Sequence, residues 1–257
     1  MIIRERTNNL RNDTSARCSN VPNFTDYMQV VFNEVCVTVP VGGRILDIPA
    51  GNGLLGDRLR ASGYDVVQAD INDEQSDYVY VNMEHLLPFG DASFDAVLCL
   101  EGIEHVTTQQ QLLAELVRVT KPRSWIIIST PNISNFYSRL TFLFSGHFYQ
   151  FNPRAFGFDK PGAIFDRGHI APISLYHLAY TMATNGARLM CTRSDRFKKK
   201  ILLPLALLLW PLVAWIEGSI ESKLSIHMRD SAAPQRGLFF NMHVYLSRSL
   251  VAKFRKD

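Results

Sequence analysis

Residues 99–106 read CLEGIEHV, directly after an apolar run, so two glutamates and a histidine fall within five residues of a hydrophobic segment's end. Glu101, Glu104 and His105 stand at i, i+3 and i+4, a spacing that puts all three on one side of a helical turn. Two carboxylates and an imidazole make a facial donor set for a divalent cation, open to substrate oxygens on its other side. An ion held there would lower the pKa of a bound hydroxyl and aim it. Two other readings stand beside this one. His105 can act as a metal-free general base, or the acids can simply complement a helix N-terminus.

A second constellation lies upstream. ILDIPAGNGLLGDRL (45–59) sets a small-residue loop between a buried strand and a helix. Small residues let a ligand approach the backbone, and the helix start offers unpaired N–H groups. Gly51 and Gly53 are present, while Pro49 stands where a first glycine would be expected. Asp70 closes the next apolar run and can accept hydrogen bonds from both hydroxyls of a ribose.

The elements that must position these residues follow from periodicity. RILDI (44–48), YDVVQAD (64–70), YVYVN (78–82), FDAVLCL (94–100) and SWIIIST (124–130) read as strands, as do ARLMCTRS (187–194) and a long last strand over 238–249. Helices are predicted at 23–39, 54–63, 107–122 and 171–186, the third with a Thr start and a Pro stop. Strands that are apolar throughout, alternating with helices, imply a parallel sheet covered on both faces.

Composition narrows the class. The chain has 257 residues, 47% hydrophobic and 20% charged, with a net charge of +3. It can bury a sizeable core, and its charge gives no footprint for nucleic acid, which is not expected as a partner. Four scattered cysteines, with no CxxC pair, suggest a reducing compartment; Cys99, within an apolar run, reads as a small buried hydrophobe. The polar N-terminus lacks the apolar core of a signal peptide, and a cytoplasmic location is expected.

From about Val41 to Ala187 the chain resembles class I S-adenosylmethionine-dependent methyltransferases. LDIPAGNG is similar to their first motif, Asp70 to their ribose-binding acid, and VNMEHLLPFGDASFDAVLCLEGIEHV to the run that cradles adenine. The resemblance implies a Rossmann-like, doubly wound, mostly parallel seven-stranded α/β sheet with an antiparallel last strand. It also implies cofactor contacts from Asp47, Pro49, Ala50, Gly51, Asn52, Gly53, Asp70, Ile71, Asn82, Met83 and Leu100. E-x-x-E-H further resembles two groups, ubiquinone-pathway O-methyltransferases and small-RNA 2′-O-methyltransferases. In the RNA group these residues bind a divalent metal with a later histidine. DRGHIAPIS supplies His169 at a comparable place. The resemblance therefore implies S-adenosylmethionine and admits a divalent cation (Mg, Mn or Zn) on Glu101, Glu104, His105 and His169, with His105, His169 and Glu104 catalytic.

Two elaborations interrupt the main domain (41–257), which follows an N-terminal segment and helix (1–40). The aromatic-rich stretch 131–168 is expected to cover the substrate, and is loosely similar to methyltransferases of bacterial cell-surface polysaccharide assembly. The second, 196–237, joins basic residues to an apolar run broken by Pro204 and Pro211. It suits peripheral membrane contact through 196–216, a buried excursion or a dimer interface better than a span, which needs about 20 residues. The expected activity is O-methylation of a glycan or lipid-linked glycan at the cytoplasmic face of a membrane. A quinone-type acceptor is the alternative, and an inactive cofactor-binding membrane scaffold is the alternative of another class. The oligomeric state is left open.

Overall fold

Apolar runs with no alternation need cover on both faces; the central ones receive it at 45–47, 96–100 and 126–131, while the edge run at 79–80 stays exposed. In the computed structural model, which describes residues 23–72, 77–151, 168–197, 199–223 and 236–257, the strands are β1 (Arg44–Asp47), β2 (Asp65–Asp70), β3 (Val79–Tyr80), β4 (Phe94–Leu100), β5 (Thr120–Pro131), β6 (Ala187–Ser194) and β7 (Ser249–Lys256). They form one sheet in the order β3-β2-β1-β4-β5-β7-β6. The first five are parallel, and β7 runs antiparallel to both β5 and β6. Sheet order reverses next to β1, so the cleft beyond the carboxyl ends of β1, β2 and β4 is where a ligand belongs.

Side chains alternate across each strand and feed two cores. Ile45, Ala96, Leu98 and Ile127 face α1 (Asp26–Thr38) and α2 (Leu54–Ala61), where they meet Val31, Val35, Leu55 and Leu59. Leu46, Val97, Cys99 and Ile128 face α3 (Gln109–Val119) and α5 (Leu175–Thr184), through Leu112, Leu116, Leu178 and Met182. Each fully buried Leu or Ile contributes roughly 1.5–3 kcal/mol from burial. Cys99 is fully enclosed, and burial pushes its thiol far up, as a small hydrophobe's would be.

Caps set the helix starts. The Thr25 side chain accepts from Met28 N, Asn135 from Ser138 N at the start of α4 (Phe136–Ser145), and Ser174 from His177 N. The start of α3 is held differently. Thr108 makes no cap with its own side chain; instead the Glu84 carboxylate accepts from the backbone N–H and hydroxyl of both Thr107 and Thr108. Although burial acts against it, these bonds hold the Glu84 carboxyl below its usual value. Arg118 completes the brace, donating to Glu115, Asp91 and the carbonyls of Leu87 and Phe89. The Leu86–Phe89 segment is thereby pinned onto α3.

Two expectations are corrected. The last strand is 249–256, not 238–249. The stretch 238–248 instead contributes to two short helices, α7 (Arg236–Phe239) and α8 (Met242–Leu246), the second capped by Asn241 accepting from Val244 N. Its aromatic residues have partners outside the sheet: Phe240 stacks on Trp210 at 4.4 Å, and Tyr245 packs on Phe136. The true strand was obscured by its charges. Lys253 is buried in the sheet, where it ion-pairs with Glu34 of α1. The second correction concerns 107–122: the helix ends at Val119 and β5 begins at Thr120, so Pro122 lies within an irregular stretch of that strand.

The insertion after β6 carries α6 (Leu203–Ser222), one helix that continues through Pro211. It rests on a small core of its own, formed with Phe136 and Leu140 of α4 and Tyr245 and Leu246 around α8. Of the expected N-terminal segment, residues 1–22 lie outside the described residues, as do 152–167 of the substrate cover and 198 and 224–235 of the insertion.

Candidate active site

The loop after β1 is stapled to β2. Gly51 (φ +54°) and Gly53 (φ +75°) take the left-handed conformation that favours glycine. Gly51 N donates to Asp70 Oδ2 at 2.8 Å, while Asn72 donates to Oδ1 from its backbone at 2.9 Å and its side chain at 3.2 Å. Tyr78 Oη donates to Gly51 O, and the Asn52 side chain accepts from Leu54 N. Behind the loop Gln68 Nε2 donates to Gly53 O at 2.9 Å. A side chain at Gly56 would occupy the space of that same Gln68.

Pro49 has a reciprocal partner. A Cβ on Gly102 would come within 2.3 Å of the Pro49 ring, so the bare Cα after β4 makes room for the proline of the loop. Beyond β4 the chain does not run on as a regular helix. Glu101 turns in the left-handed region (φ +48°), and a single 3₁₀ turn, Ile103–His105, follows. Holding a non-glycine there costs of order 1–2 kcal/mol, which the packing around it must offset.

That turn separates residues which the i, i+3, i+4 spacing placed together. The Glu101 carboxylate turns toward β5 and accepts from Ser129 Oγ at 3.0 Å. Burial, tempered by that bond and by the charge of Arg248, raises its pKa to about 7. Glu104, His105 and His169 do converge, with one donor atom of each inside a triangle no wider than 4.8 Å. The two imidazoles sit 5.0 Å apart, edge to face. His169 is delivered by backbone bonds: Ile170 N and Ala171 N both donate to Glu104 O, and Gln109 Nε2 bridges Ile103 O and Ala171 O.

Glu104 is 0% exposed. Its Oε2 accepts from Thr130 Oγ1 at 3.1 Å, and its Oε1 has no hydrogen-bond partner among the described residues. Burial, and then the charge of Glu101, push its carboxyl well above the usual range. Asp47 is similar: it is buried with Oδ2 unpartnered among the described residues, and its pKa rises to about 8 through burial and then the charge of Asp70. Buried, unmatched carboxylates at one end of a sheet are costly unless a cation or hydrogen-bond donor joins them.

A cleft of about 550 Å³, open to solvent, runs along this edge. Pro49, Asp70, Ile71, Asn82 and Met83 line it, as does His105. Ile48, Val81, Glu84 and Val106 also line it and were not anticipated. Asp47, Ala50, Gly51, Asn52, Gly53 and Leu100 are not among its walls; the first five belong to the strand end and loop behind it, and Leu100 ends β4. Asn82 Oδ1 already accepts from Glu84 N at 3.0 Å, which leaves one lone pair for a ligand. A signal for Glu84 was present in the pair Thr107-Thr108 before α3, whose four donors need an acceptor when a helix start supplies none.

Comparison with known proteins agrees with this geometry. Residues 46–128 match the family described as "Methyltransferase domain". Over 111 residues the chain is 39% identical to demethylmenaquinone methyltransferase of Clavibacter sepedonicus, covering 37% of this chain and 45% of the relative. Over 105 residues it is 30% identical to the ubiquinone biosynthesis O-methyltransferase of Dechloromonas aromatica, covering 35% and 45%. The chain thus spans about half the length of the curated relatives it matches. A solved S-adenosylmethionine-dependent methyltransferase from Archaeoglobus fulgidus superposes with a TM-score of 0.54 at 17% identity, covering 89% of this chain and 94% of that one. Residues 46–128 are thus similar to a methyltransferase domain, and the sheet that contains them has the fold of solved S-adenosylmethionine-dependent methyltransferases.

Proposed function

We propose that this chain transfers a methyl group from S-adenosylmethionine to an acceptor hydroxyl, at the cytoplasmic face of a membrane. One observation carries the reading: His105 lines the cleft beside Asp70 and Asn82 and also belongs to the Glu104–His105–His169 triangle. The bound cofactor supplies an electrophilic methyl on a sulfonium. The protein's part is then to align the acceptor and take its proton. Asp70 would receive the ribose, Asn82 and Met83 the adenine, and the unpartnered Asp47 Oδ2 suits a donor on the cofactor's amino-acid end. His105 and His169 are the bases within reach of the cleft, and Glu104, with a donor atom within 4.8 Å of one on each ring, can orient an imidazole.

A divalent cation is the second reading of the same triangle, and the unpartnered Glu104 Oε1 favours it. Glu104, His105 and His169 would hold the ion, with Glu101 outside the set. It would supply Lewis acidity toward the acceptor oxygen. Metal analysis of the purified protein, with activity measured after exhaustive chelation and in Glu104→Ala, separates the readings. Full activity in both removes the cation.

For the acceptor, the aromatic-rich stretch 131–168 suits a sugar, a quinone or a lipid headgroup; a glycan or lipid-linked glycan is the first reading, and the relatives named for quinone pathways favour a quinol as the second. Labelled cofactor offered with extracted glycolipids, quinols and RNA distinguishes them. Calorimetry showing no S-adenosylmethionine binding below millimolar would sink the methyl-transfer reading. Binding without transfer to any acceptor would point to a scaffold.

A further inference from the structure

We propose that α4 and α6 together form a docking surface for an anionic lipid bilayer, and that the acceptor reaches His105 and His169 from that bilayer. The second clause rests on the methyl-transfer reading above; the docking surface does not.

The segment Lys200–Ile220 is long and apolar enough to cross a membrane by length and composition, with a mean hydropathy of 1.9, yet only 6% of it is buried. A core helix of that composition would be mostly enclosed. Here Ala206, Leu209, Trp210 and Val213 face the protein, while Leu205, Leu208, Leu212, Trp215, Ile216 and Ile220 form an exposed stripe at helical spacing. Leu208 is 74% and Trp215 69% exposed. Contiguous apolar surface of this kind marks an interaction site.

Topology decides between spanning and lying flat. The insertion leaves from β6 and returns to β7, which are neighbours in one sheet. A 20-residue helix is about 30 Å long, enough for one crossing. The chain would then have to cross back through the twelve residues 224–235, which include Arg229 and Asp230. Such a segment is too short and too polar for a second span. The helix therefore lies along the membrane surface.

Charge selects the partner. Between 196 and 223 there are five cationic and two acidic residues, with four of the cations gathered at 196–200, before the helix. Lys199 and Lys200 border a cleft of about 330 Å³ between α4 and α6, over a floor that includes Phe136, Leu203 and Ala206. A cationic rim on an apolar floor suits anionic headgroups with their chains below.

The second helix ties this face to the catalytic residues. The tip of α4 exposes Phe142, Leu143 and Phe144, the last 83% exposed. Beyond it the chain folds back, with Tyr149 N donating to Ser138 Oγ and the Tyr137 and Tyr149 rings 4.9 Å apart. Two residues later Phe151 packs on His169 at 5.5 Å. A lipid-borne acceptor lifted at the α4 tip thus meets the His105–His169 pair along one short run of chain.

Sedimentation with phosphatidylcholine vesicles, with and without phosphatidylglycerol, tests the surface. The full chain is expected to pellet with the anionic vesicles and to be released by salt. Leu208→Asp/Leu212→Asp and Phe142→Asp/Phe144→Asp should each weaken binding at least tenfold, and Lys199→Glu/Lys200→Glu should lose roughly fivefold per charge removed. S-adenosylmethionine affinity by calorimetry should stay unchanged in all three, which certifies the fold. Failure of the wild type to pellet overturns docking, as does a stable dimer by light scattering that the α6 substitutions dissolve without any change in vesicle binding. Vesicle binding without cofactor binding would leave the surface standing and remove the methyltransferase reading. Labelled methyl incorporation into extracted lipids reconstituted in the anionic vesicles should drop at least tenfold in Phe142→Asp/Phe144→Asp; equal incorporation overturns delivery from the bilayer.

Discussion

The half of the molecule from β1 to the turn after β4 and the half from α4 to α8 are built on different terms. In the first, each functional residue lies within a few positions of a strand end, and the sheet carries all of them to one edge. In the second, helices such as α6 keep one apolar face on the protein and expose another. Local chain order can specify a ligand loop, because strand, loop and helix start are contiguous. The exposed face of α4 and α6 depends instead on which side of each helix the fold covers, which local chain order does not set.

Substitutions can break that contrast or sharpen it. The largest effect is expected at Gly102→Val. Its side chain would displace the Pro49 ring, costing about 1–3 kcal/mol and removing S-adenosylmethionine binding by calorimetry. Gly102→Ala combined with Pro49→Gly should recover much of the loss seen in Gly102→Ala alone; recovery in thermal melts checks that the two positions are coupled. Next, Glu84→Ala strands the donors of Thr107 and Thr108 and should cost about 1–2 kcal/mol in denaturant unfolding. Loosening of α3 should weaken cofactor binding as well.

A smaller effect is the pH dependence of the ligand-free protein. Asp47 and Glu101 have folded-state pKa values raised to about 8 and about 7, so the native state holds protons that the unfolded chain has already released. Their contribution to stability is greatest at low pH and is lost as pH rises from the usual carboxylate range through 7 to 8, by at most about 1.4 kcal/mol per unit for each group. Asp47→Asn should flatten the slope of melting temperature against pH between 5 and 8; an unchanged slope would show that Asp47 ionises normally. The smallest effect belongs to the other half. Leu212→Ser on the exposed stripe of α6 should shift unfolding by less than about 0.5 kcal/mol, whereas a loss typical of a core leucine would mean that the stripe is covered in the free protein.

Legibility followed the same division. Gly51, Gly53 and Asp70 were readable because a glycine loop after a strand and an acid at the next strand's end are local patterns. His169 came into view through family resemblance, since 64 residues separate it from His105 and no periodicity links them. Glu101 was misplaced with its neighbours because spacing assumes a regular helix, whereas Glu101 takes a left-handed turn and only a 3₁₀ turn follows it. The helix α4 went unread among aromatic residues, and the last strand was set too early, because LFFNMHVYL looks more like a buried strand than SLVAKFRK does.

Taken alone, the sequence determined the α/β class, the order of most elements, the glycine loop after β1 and the donor types at the end of β4, all of which depend on residues close in the chain. Only the tertiary structure decided which donors meet, which charged strand is buried, and which apolar helix is left uncovered. Those outcomes depend on partners far apart in sequence: Glu34 matching Lys253, Glu104 O receiving Ile170 and Ala171, Gly102 making room for Pro49, and α6 packing on Phe136 and Tyr245 in a small cluster of its own.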